Sequence, residues 1–181
     1  MDQSNVFELL FAGYVSPGVA SSVSYVEDGD IRIVIDPGMV PDRSVILDPL
    51  RKLGVDPGSI TDVVFSHHHP DHTLNAALFL NAQFHDHWAI YRDDIWTDRP
   101  AEGFQVSPGV RLAETPGHTP QDISTLITTE DGVVACTHLW WNGDIEGDPR
   151  ATNPELLEPN RSRVRAIADL IVPGHGAPFE V

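Results

Sequence analysis

Basic side chains, cysteine and long apolar runs are scarce in this sequence. Cys136 is its only cysteine, so internal disulfides are excluded and stability has to come from packing or from metal binding. No run approaches the roughly 18 apolar residues that a membrane-spanning helix needs. Residues 1–4 include no basic side chain, so a secretory leader is not predicted and we expect a cytoplasmic protein.

The charge balance of the 181 residues is acidic. Eleven Lys and Arg residues stand against 27 Asp and Glu residues, which gives a formal net charge of −16. Such a field repels nucleic acid and anionic membranes, so an anionic substrate would require a local positive site. The charge therefore favours a small-molecule substrate over a nucleic acid and predicts no membrane partner. The oligomeric state stays open, with a homodimer as one alternative.

Apolar periodicity predicts one α/β domain over residues 1–181. Strand-like runs cover residues 6–15, 22–25, 31–35, 61–65, 110–114, 123–128, 133–137 and 170–172. Helix-like patterns cover residues 45–53, 74–79 and 154–168, the last with Asn153 as its N-cap. Residues 86–103 show no clear period, so we expect a surface loop or a short irregular helix there.

Histidine is concentrated in one short segment. Four of the nine histidines lie within residues 67–72, in the run Ser-His-His-His-Pro-Asp-His that starts at Ser66. If His67 and His69 continue the preceding strand, its period of two places both on one side, and Asp71 and His72 turn back towards them. Imidazole and carboxylate ligands suit zinc, iron or manganese. We expect one or two zinc ions, with iron or manganese as alternatives.

Two further histidines follow glycine in short turns at the ends of predicted strands. His118 lies in Thr-Pro-Gly-His-Thr and His175 in Pro-Gly-His-Gly, and these turns could meet the first cluster at one edge of the fold. His68 should point away from its neighbours and serve a structural role. His85 and His87 lie outside these turns, so we expect them to be ordinary core or surface residues.

Together these motifs resemble the metallo-β-lactamase superfamily. Its metal motif, His-x-His-x-Asp-His, is matched by residues 67–72, and its later histidine motifs and early acidic residue are matched by His118, His175 and Asp36. Segments 114–124 and 161–179 are similar to those of the subgroup called metallo-β-lactamase domain-containing protein one. The resemblance covers essentially the whole chain and implies an αββα sandwich with metal at the sheet edge.

The resemblance also implies roles for the matched residues. The first ion would be held by His67, His69 and His118. The second ion would be held by Asp71, His72 and His175. Asp71 would also orient the attacking water, and Asp36 would support a ligand from behind.

His138 departs from the family pattern, which usually places a bridging aspartate at this position. A neutral imidazole offers one lone pair and cannot bridge two ions as a carboxylate does. His138 therefore either binds one ion terminally or leaves the centre with one firmly bound ion. Asp144 or Asp148, a few residues further on, could substitute.

The resemblance implies a metal-dependent hydrolase in which a metal-bound hydroxide attacks an ester, lactone, thioester or phosphoester. Two divalent ions with Asp71 and one hydroxide sum to about +2, which favours an anionic substrate. One alternative is a phosphodiesterase or ribonuclease, as the subgroup resemblance suggests. The other is a non-hydrolytic iron redox or ligand-binding protein.

Several aromatic and basic side chains near the motifs allow two interpretations. Trp88, Trp140 and Trp141 could wall a substrate pocket or pack in the core. Cys136 is expected to be a buried core thiol rather than a ligand. A solvated helix face, rather than a nucleic-acid patch, is expected for the arginines Arg161, Arg163 and Arg165.

Overall fold

The computed structural model describes residues 5–181, so the expectation about a leader, which concerns residues 1–4, lies outside it. Two sheets of seven and six strands form the body of the structure. No helix in the described range is long and apolar enough to cross a membrane.

The first sheet contains seven strands in sequence order. They are β1 Val6–Phe11, β2 Val23–Asp28, β3 Ile31–Ile35, β4 Asp62–Val64, β5 Gln83–His85, β6 Ala89–Arg92 and β7 Ile95–Asp98. β3, β4 and β5 are parallel, and the other pairs are antiparallel. The strand-like runs predicted at residues 22–25 and 31–35 lie in β2 and β3, which form an antiparallel hairpin, and Gly29 supplies the positive φ of its turn.

The second sheet contains six strands, in the order β13, β12, β11, β10, β9, β8. They are β8 Gln105–Ser107, β9 Val110–Glu114, β10 Ile123–Thr129, β11 Gly132–Thr137, β12 Leu170–Pro173 and β13 Phe179–Glu180. β11 and β12 are parallel, because the chain crosses over between them through a helix. Their carboxyl ends therefore lie at the same edge of the sheet.

Three helices complete the described chain: α1 Ser44–Lys52, α2 Pro70–Thr73 and α3 Pro154–Arg165. α1 buries Ile46 and Leu50, four positions apart on one face, against the first sheet. It gives way to Gly54, which has the positive φ expected after a helix end.

Three apolar clusters show how the layers stack. One lies between α1 and the outer face of the first sheet, a second joins the inner faces of both sheets, and a third lies under α3 on the second sheet. Val64 from the first sheet and Ile123 from the second meet in the middle cluster. The order helix, sheet, sheet, helix confirms the predicted αββα sandwich.

The structure corrects the prediction for residues 86–103. They contain the antiparallel hairpin of β6 and β7 rather than a loop or an irregular helix. All four residues of β7 are exposed, so no alternation of apolar and polar residues marks the strand in the sequence. β6 is extended because it pairs with the neighbouring β5, and β7 in turn pairs with β6.

Predicted helices are shorter than their patterns indicate. Residues 74–79 form only a 3-10 turn, Ala76–Leu78, because Asn75 ties the chain back through its backbone N–H to Pro37 O and through Nδ2 to Gly38 O. α3 ends at Arg165 instead of 168. Asn153 stands at the N-cap position of α3, as predicted, but its side chain caps no backbone N–H, because its Oδ1 accepts from Thr152 Oγ1 at 3.3 Å instead.

Candidate metal centre

The histidine cluster lies beyond the end of β4 and is positioned by bends rather than by strand continuation. β4 stops at Val64, so the strand period does not align His67 and His69 as predicted. Ser66 fixes the bend instead: its backbone N–H donates to Asp36 Oδ1 at 2.7 Å, and its carbonyl accepts from Ile123 N at 2.9 Å. The second bond joins the two sheets at this edge.

The remaining histidines come from the ends of strands in the second sheet. His118 follows β9 in a turn closed by the Gly117 N–H to Thr119 O bond of 3.1 Å. His138 comes directly after β11, and His175 comes shortly after β12. Parallel β11 and β12 deliver His138 and His175 to the same edge, which faces the loop after β4.

Three imidazoles lie close enough to share one ion. His67 Nε2 and His118 Nε2 are each 3.0 Å from His69 Nδ1. The ligand atoms of this set all lie within 4.8 Å of one another. His67 and His118 are buried and His69 is exposed, so a position beside His69 opens to solvent.

A second set contains one carboxylate and two imidazoles. Asp71 Oδ2 lies 3.4 Å from His175 Nε2 and 3.6 Å from His72 Nε2. These ligand atoms also fall within 4.8 Å of one another. α2 carries Asp71 and His72 in its single turn, and Pro70 begins that turn at the position where proline is favoured.

The outward nitrogens of these imidazoles are held by oxygen atoms. Nδ1 of His118 donates to Asp148 Oδ2 at 2.7 Å, and Nδ1 of His72 donates to Asp36 Oδ2 at 2.8 Å. Nδ1 of His175 donates to Ala20 O at 2.9 Å. With the outward nitrogen protonated, each Nε2 lone pair points into the centre, as metal-binding histidines require. Nε2 of His72 is buried and has no hydrogen-bond partner within residues 5–181.

Burial keeps the central imidazoles neutral. Desolvation, followed by the neighbouring imidazoles, lowers the pKa of His67 and of His138 well below the ordinary histidine value. Burial also lowers the pKa of His69 and of His175. Neutral imidazole is the form that binds metal, so these residues fit a divalent ion.

A cavity of about 390 Å³ opens beside the two sets. Its polar wall contains four histidines and Asp71, and its other wall contains Val19, Met39, Trp141 and Arg150. Of the three tryptophans predicted for a pocket, only Trp141 lines it. Trp140 is buried in the cluster under α3, edge-on to Phe179, and Trp88 stacks on His68 outside the cavity.

Residues expected to lie outside the centre do so. His68 points away and bonds to Asp86 Oδ2 at 2.8 Å, and buried His85 bonds to Asp62 Oδ1 at 2.7 Å. Cys136 is buried in the cluster between the sheets. Burial raises the pKa of its thiol to about 12, so it stays protonated.

The sequence did not indicate the roles of two residues at this edge of the fold, Asp148 and Arg150. Asp148, considered only as a replacement for the bridging carboxylate, supports His118 instead, and Asp144 is exposed. Arg150 lies 5.8 Å from the Trp141 ring. Both belong to the Gly- and Asp-rich segment after β11, and no spacing in that segment marks either one.

The arginines of α3 also require a correction. Arg161 is buried rather than solvated, and it donates to Leu139 O at 2.9 Å and to Glu146 O at 2.6 Å. Arg163 and Arg165 are exposed and pair with glutamates. The three side chains therefore form no continuous basic face.

A helix-covered pair of sheets, with imidazoles and a carboxylate converging where their edges meet, is the architecture of a metal-dependent hydrolase. A family model described as the metallo-beta-lactamase superfamily matches residues 16–111. The chain belongs to this superfamily, whose members are metal-dependent hydrolases.

Individual relatives support this assignment. The chain is 32% identical over 169 residues to metallo-beta-lactamase domain-containing protein 1 of Xenopus laevis, covering 88% of this chain and 72% of that protein. It covers 59% of the human protein of the same name, at 34% identity over 82% of this chain. A crystal structure from Thermotoga maritima, described as a metallo-beta-lactamase, matches with a TM-score of 0.76 and 26% identity, covering 99% of this chain and 100% of that one.

Proposed function

We propose that this protein hydrolyses a small ester-like substrate, namely a lactone, ester or thioester, that carries a carboxylate. The observation that supports this proposal is the 390 Å³ cavity, which places one cation, Arg150, beside the candidate metal ligands. A cavity of this size suits a small molecule. In a chain of net charge −16, a cation at this place supplies the local positive site that an anionic substrate requires.

Arg150 is free to bind such a group. It makes no ion pair within residues 5–181. Asp148, which is close in sequence, uses one carboxylate oxygen for His118 and the other for the backbone N–H of Arg150. The guanidinium therefore remains available for a bidentate contact with a carboxylate.

The proposed ligands are His67, His69 and His118 for one ion and Asp71, His72 and His175 for another, and zinc is the proposed metal. A bound divalent ion supplies a Lewis acid that polarises the substrate oxygen and lowers the pKa of water to about 7. Asp71 is partly exposed on the cavity wall and accepts the proton of the attacking water. Trp141 and Met39 shield the acyl side from solvent, and Arg150 fixes the anionic end.

A small phosphodiester is a second candidate, because a guanidinium beside a positively charged centre binds phosphate as well as carboxylate. A polynucleotide is disfavoured. Arg161 is buried, and Arg163 and Arg165 are paired with glutamates, so these three arginines form no basic track to the cavity.

The proposal is tested with zinc-loaded protein on lactones, esters, thioesters and phosphodiesters, each offered with and without a carboxylate. Arg150→Ala is expected to raise KM for the carboxylate-bearing substrate about 10- to 100-fold with kcat little changed, because a charge-assisted hydrogen bond contributes about 1.5–3 kcal/mol. Arg92→Ala, on the exposed hairpin of β6 and β7, is the matched control. Equal turnover of charged and neutral substrates, or activity only on phosphodiesters, would contradict the ester proposal.

A further inference from the structure

Strand β7 is an open edge of the first sheet. It pairs with β6 on one side, and no strand within residues 5–181 covers its other side. Every second residue of an antiparallel strand directs its backbone N–H and C=O away from its neighbour, so this edge offers unpaired donors and acceptors. All four residues of β7 are exposed, whereas the other edge strands, β1, β8 and β13, each contain buried or half-buried residues. The edge of β7 is therefore accessible to a further strand.

Two large apolar side chains extend from β7. Ile95 is 62% exposed and Trp96 is 60% exposed, and consecutive residues of a strand point to opposite faces of the sheet. Edge strands are usually protected by lysine, by proline or by a covering segment, but β7 contains neither lysine nor proline. Both faces of this edge therefore present apolar surface beside an open backbone.

Trp96 is held in place although most of its ring is exposed. Its ring centroid lies 4.5 Å from that of Tyr91, edge-on, and its Nε1 donates to Asp98 Oδ1 at 2.5 Å. The Tyr91 hydroxyl in turn donates to the buried carboxylate of Asp86 at 2.5 Å. A side chain that is fixed before binding loses little conformational entropy on binding, and tryptophan is among the residues that contribute most at interfaces.

The charge around β7 indicates which kind of chain this edge accepts. Asp93 and Asp94 form the exposed turn before the strand and exposed Asp98 ends it, whereas Arg92 is the one basic residue between positions 88 and 98. The next basic residue, Arg99, is half-buried and donates to a backbone carbonyl at 2.7 Å. A second copy of this chain carries the same acidic turn and the same net charge of −16. Electrostatics therefore disfavours self-association and favours a basic partner.

We propose that β7 binds an extended basic peptide segment of a partner protein by strand addition. The backbone of the segment pairs with the open edge, and its apolar side chains pack on Ile95 and Trp96. Flanking Lys or Arg side chains face Asp94 and Asp98. No residue of β6 or β7 lines the cavity beside the candidate metal ligands, so the partner leaves that cavity open.

The test uses the full chain and a fluorescein-labelled peptide with blocked termini, Lys-Arg-Val-Ile-Val-Arg-Lys, in a fluorescence polarisation titration. The unmodified protein is expected to bind it, and the affinity should fall as salt is raised, because salt screens the charges. A second peptide with N-methyl groups at alternate residues keeps every side chain but loses N–H donors, so it should bind at least about 10-fold more weakly. Hydrogen exchange of the amides of residues 95–98 should slow when the first peptide is bound.

Trp96→Ala should weaken binding about 30-fold, the loss typical of a tryptophan at the centre of an interface. Ile167→Ala is the matched control, because it removes another exposed apolar side chain from the segment after α3, and it should bind like the unmodified protein. If Trp96→Ala does not fold, Ile95→Ser serves in its place.

Three results would overturn the proposal: equal binding of the two peptides, unchanged affinity after substitution in β7, or no binding at about 1 mM peptide. A concentration-dependent dimer that protects the amides of residues 95–98 without peptide would also overturn it, because the edge would then be occupied by a second copy of this chain.

Discussion

Replacing Asp148 by asparagine removes one acceptor from a buried pair of contacts while keeping the size of the side chain. The Asp148 carboxylate accepts from His118 Nδ1 at 2.7 Å and from Arg150 N at 2.9 Å. Asparagine offers one oxygen and one NH2 group, so it can satisfy only one of these two donors. If the amide NH2 faces His118, the imidazole has to change tautomer and direct its Nε2 proton at the ion.

We therefore expect Asp148→Asn to weaken the first metal site about 10- to 100-fold, which corresponds to about 1.4–2.7 kcal/mol. Competition with a chromophoric chelator near pH 7.5 measures the affinity directly. Asp144→Asn is the matched control, because Asp144 is exposed on the same segment and its carboxylate contacts no histidine among residues 5–181. Equal metal affinity in the two variants would refute the argument that Asp148 sets the His118 tautomer.

Three further outcomes follow from the same structure. Removing metal with a chelator should lower the melting temperature, since the ions bind the folded state alone; an unchanged value after verified removal would contradict this. In metal-free protein, burial holds the pKa of His67 and of His138 below that of the same residues in the unfolded chain. The free energy of unfolding should therefore fall as pH drops below about 6.5, by up to about 1.4 kcal/mol per pH unit for each residue. Urea midpoints measured from pH 7.5 down to about 5.5 test this, and a midpoint that does not change with pH would contradict it. Because burial raises the pKa of Cys136 to about 12, a thiol reagent should label it only after unfolding, whereas rapid labelling of the native protein would show an accessible thiolate.

Where the local pattern and the chemistry of the residues agree, the sequence alone was sufficient to predict the local structure and the candidate ligands. The run from His67 to His72 and the two glycine-histidine turns identify ligand-type residues by composition and spacing, whatever the surrounding fold. Strands β2 and β3 and helix α1 were predicted from apolar periodicity, and the structure forms them at those positions. These features depend on neighbours within a few residues, and such neighbours are visible in a sequence.

Contacts between residues far apart in the sequence decided the remaining features of the fold and of the cavity. β7 is extended because β6 pairs with it at the edge of a sheet, although its own four residues are all exposed. Trp140 and Trp141 are adjacent, yet only Trp141 faces the cavity while Trp140 enters the core under α3. Apolar periodicity does not predict where the side chains of a turn point, so the sequence could not show which of the two tryptophans faces the cavity.

The candidate metal centre combines both kinds of information. Its residue types could be recognised from the sequence, but the two sheets bring them together through contacts such as Ser66 O with Ile123 N and Gly174 O with Ser22 N. Asp148 reaches His118 across 30 positions, and no local pattern records such a pairing. The sequence by itself determined which chemistry is available. The tertiary structure decided which nitrogen of His72, His118 and His175 faces the centre, because that choice depends on oxygen atoms of residues far away in the sequence.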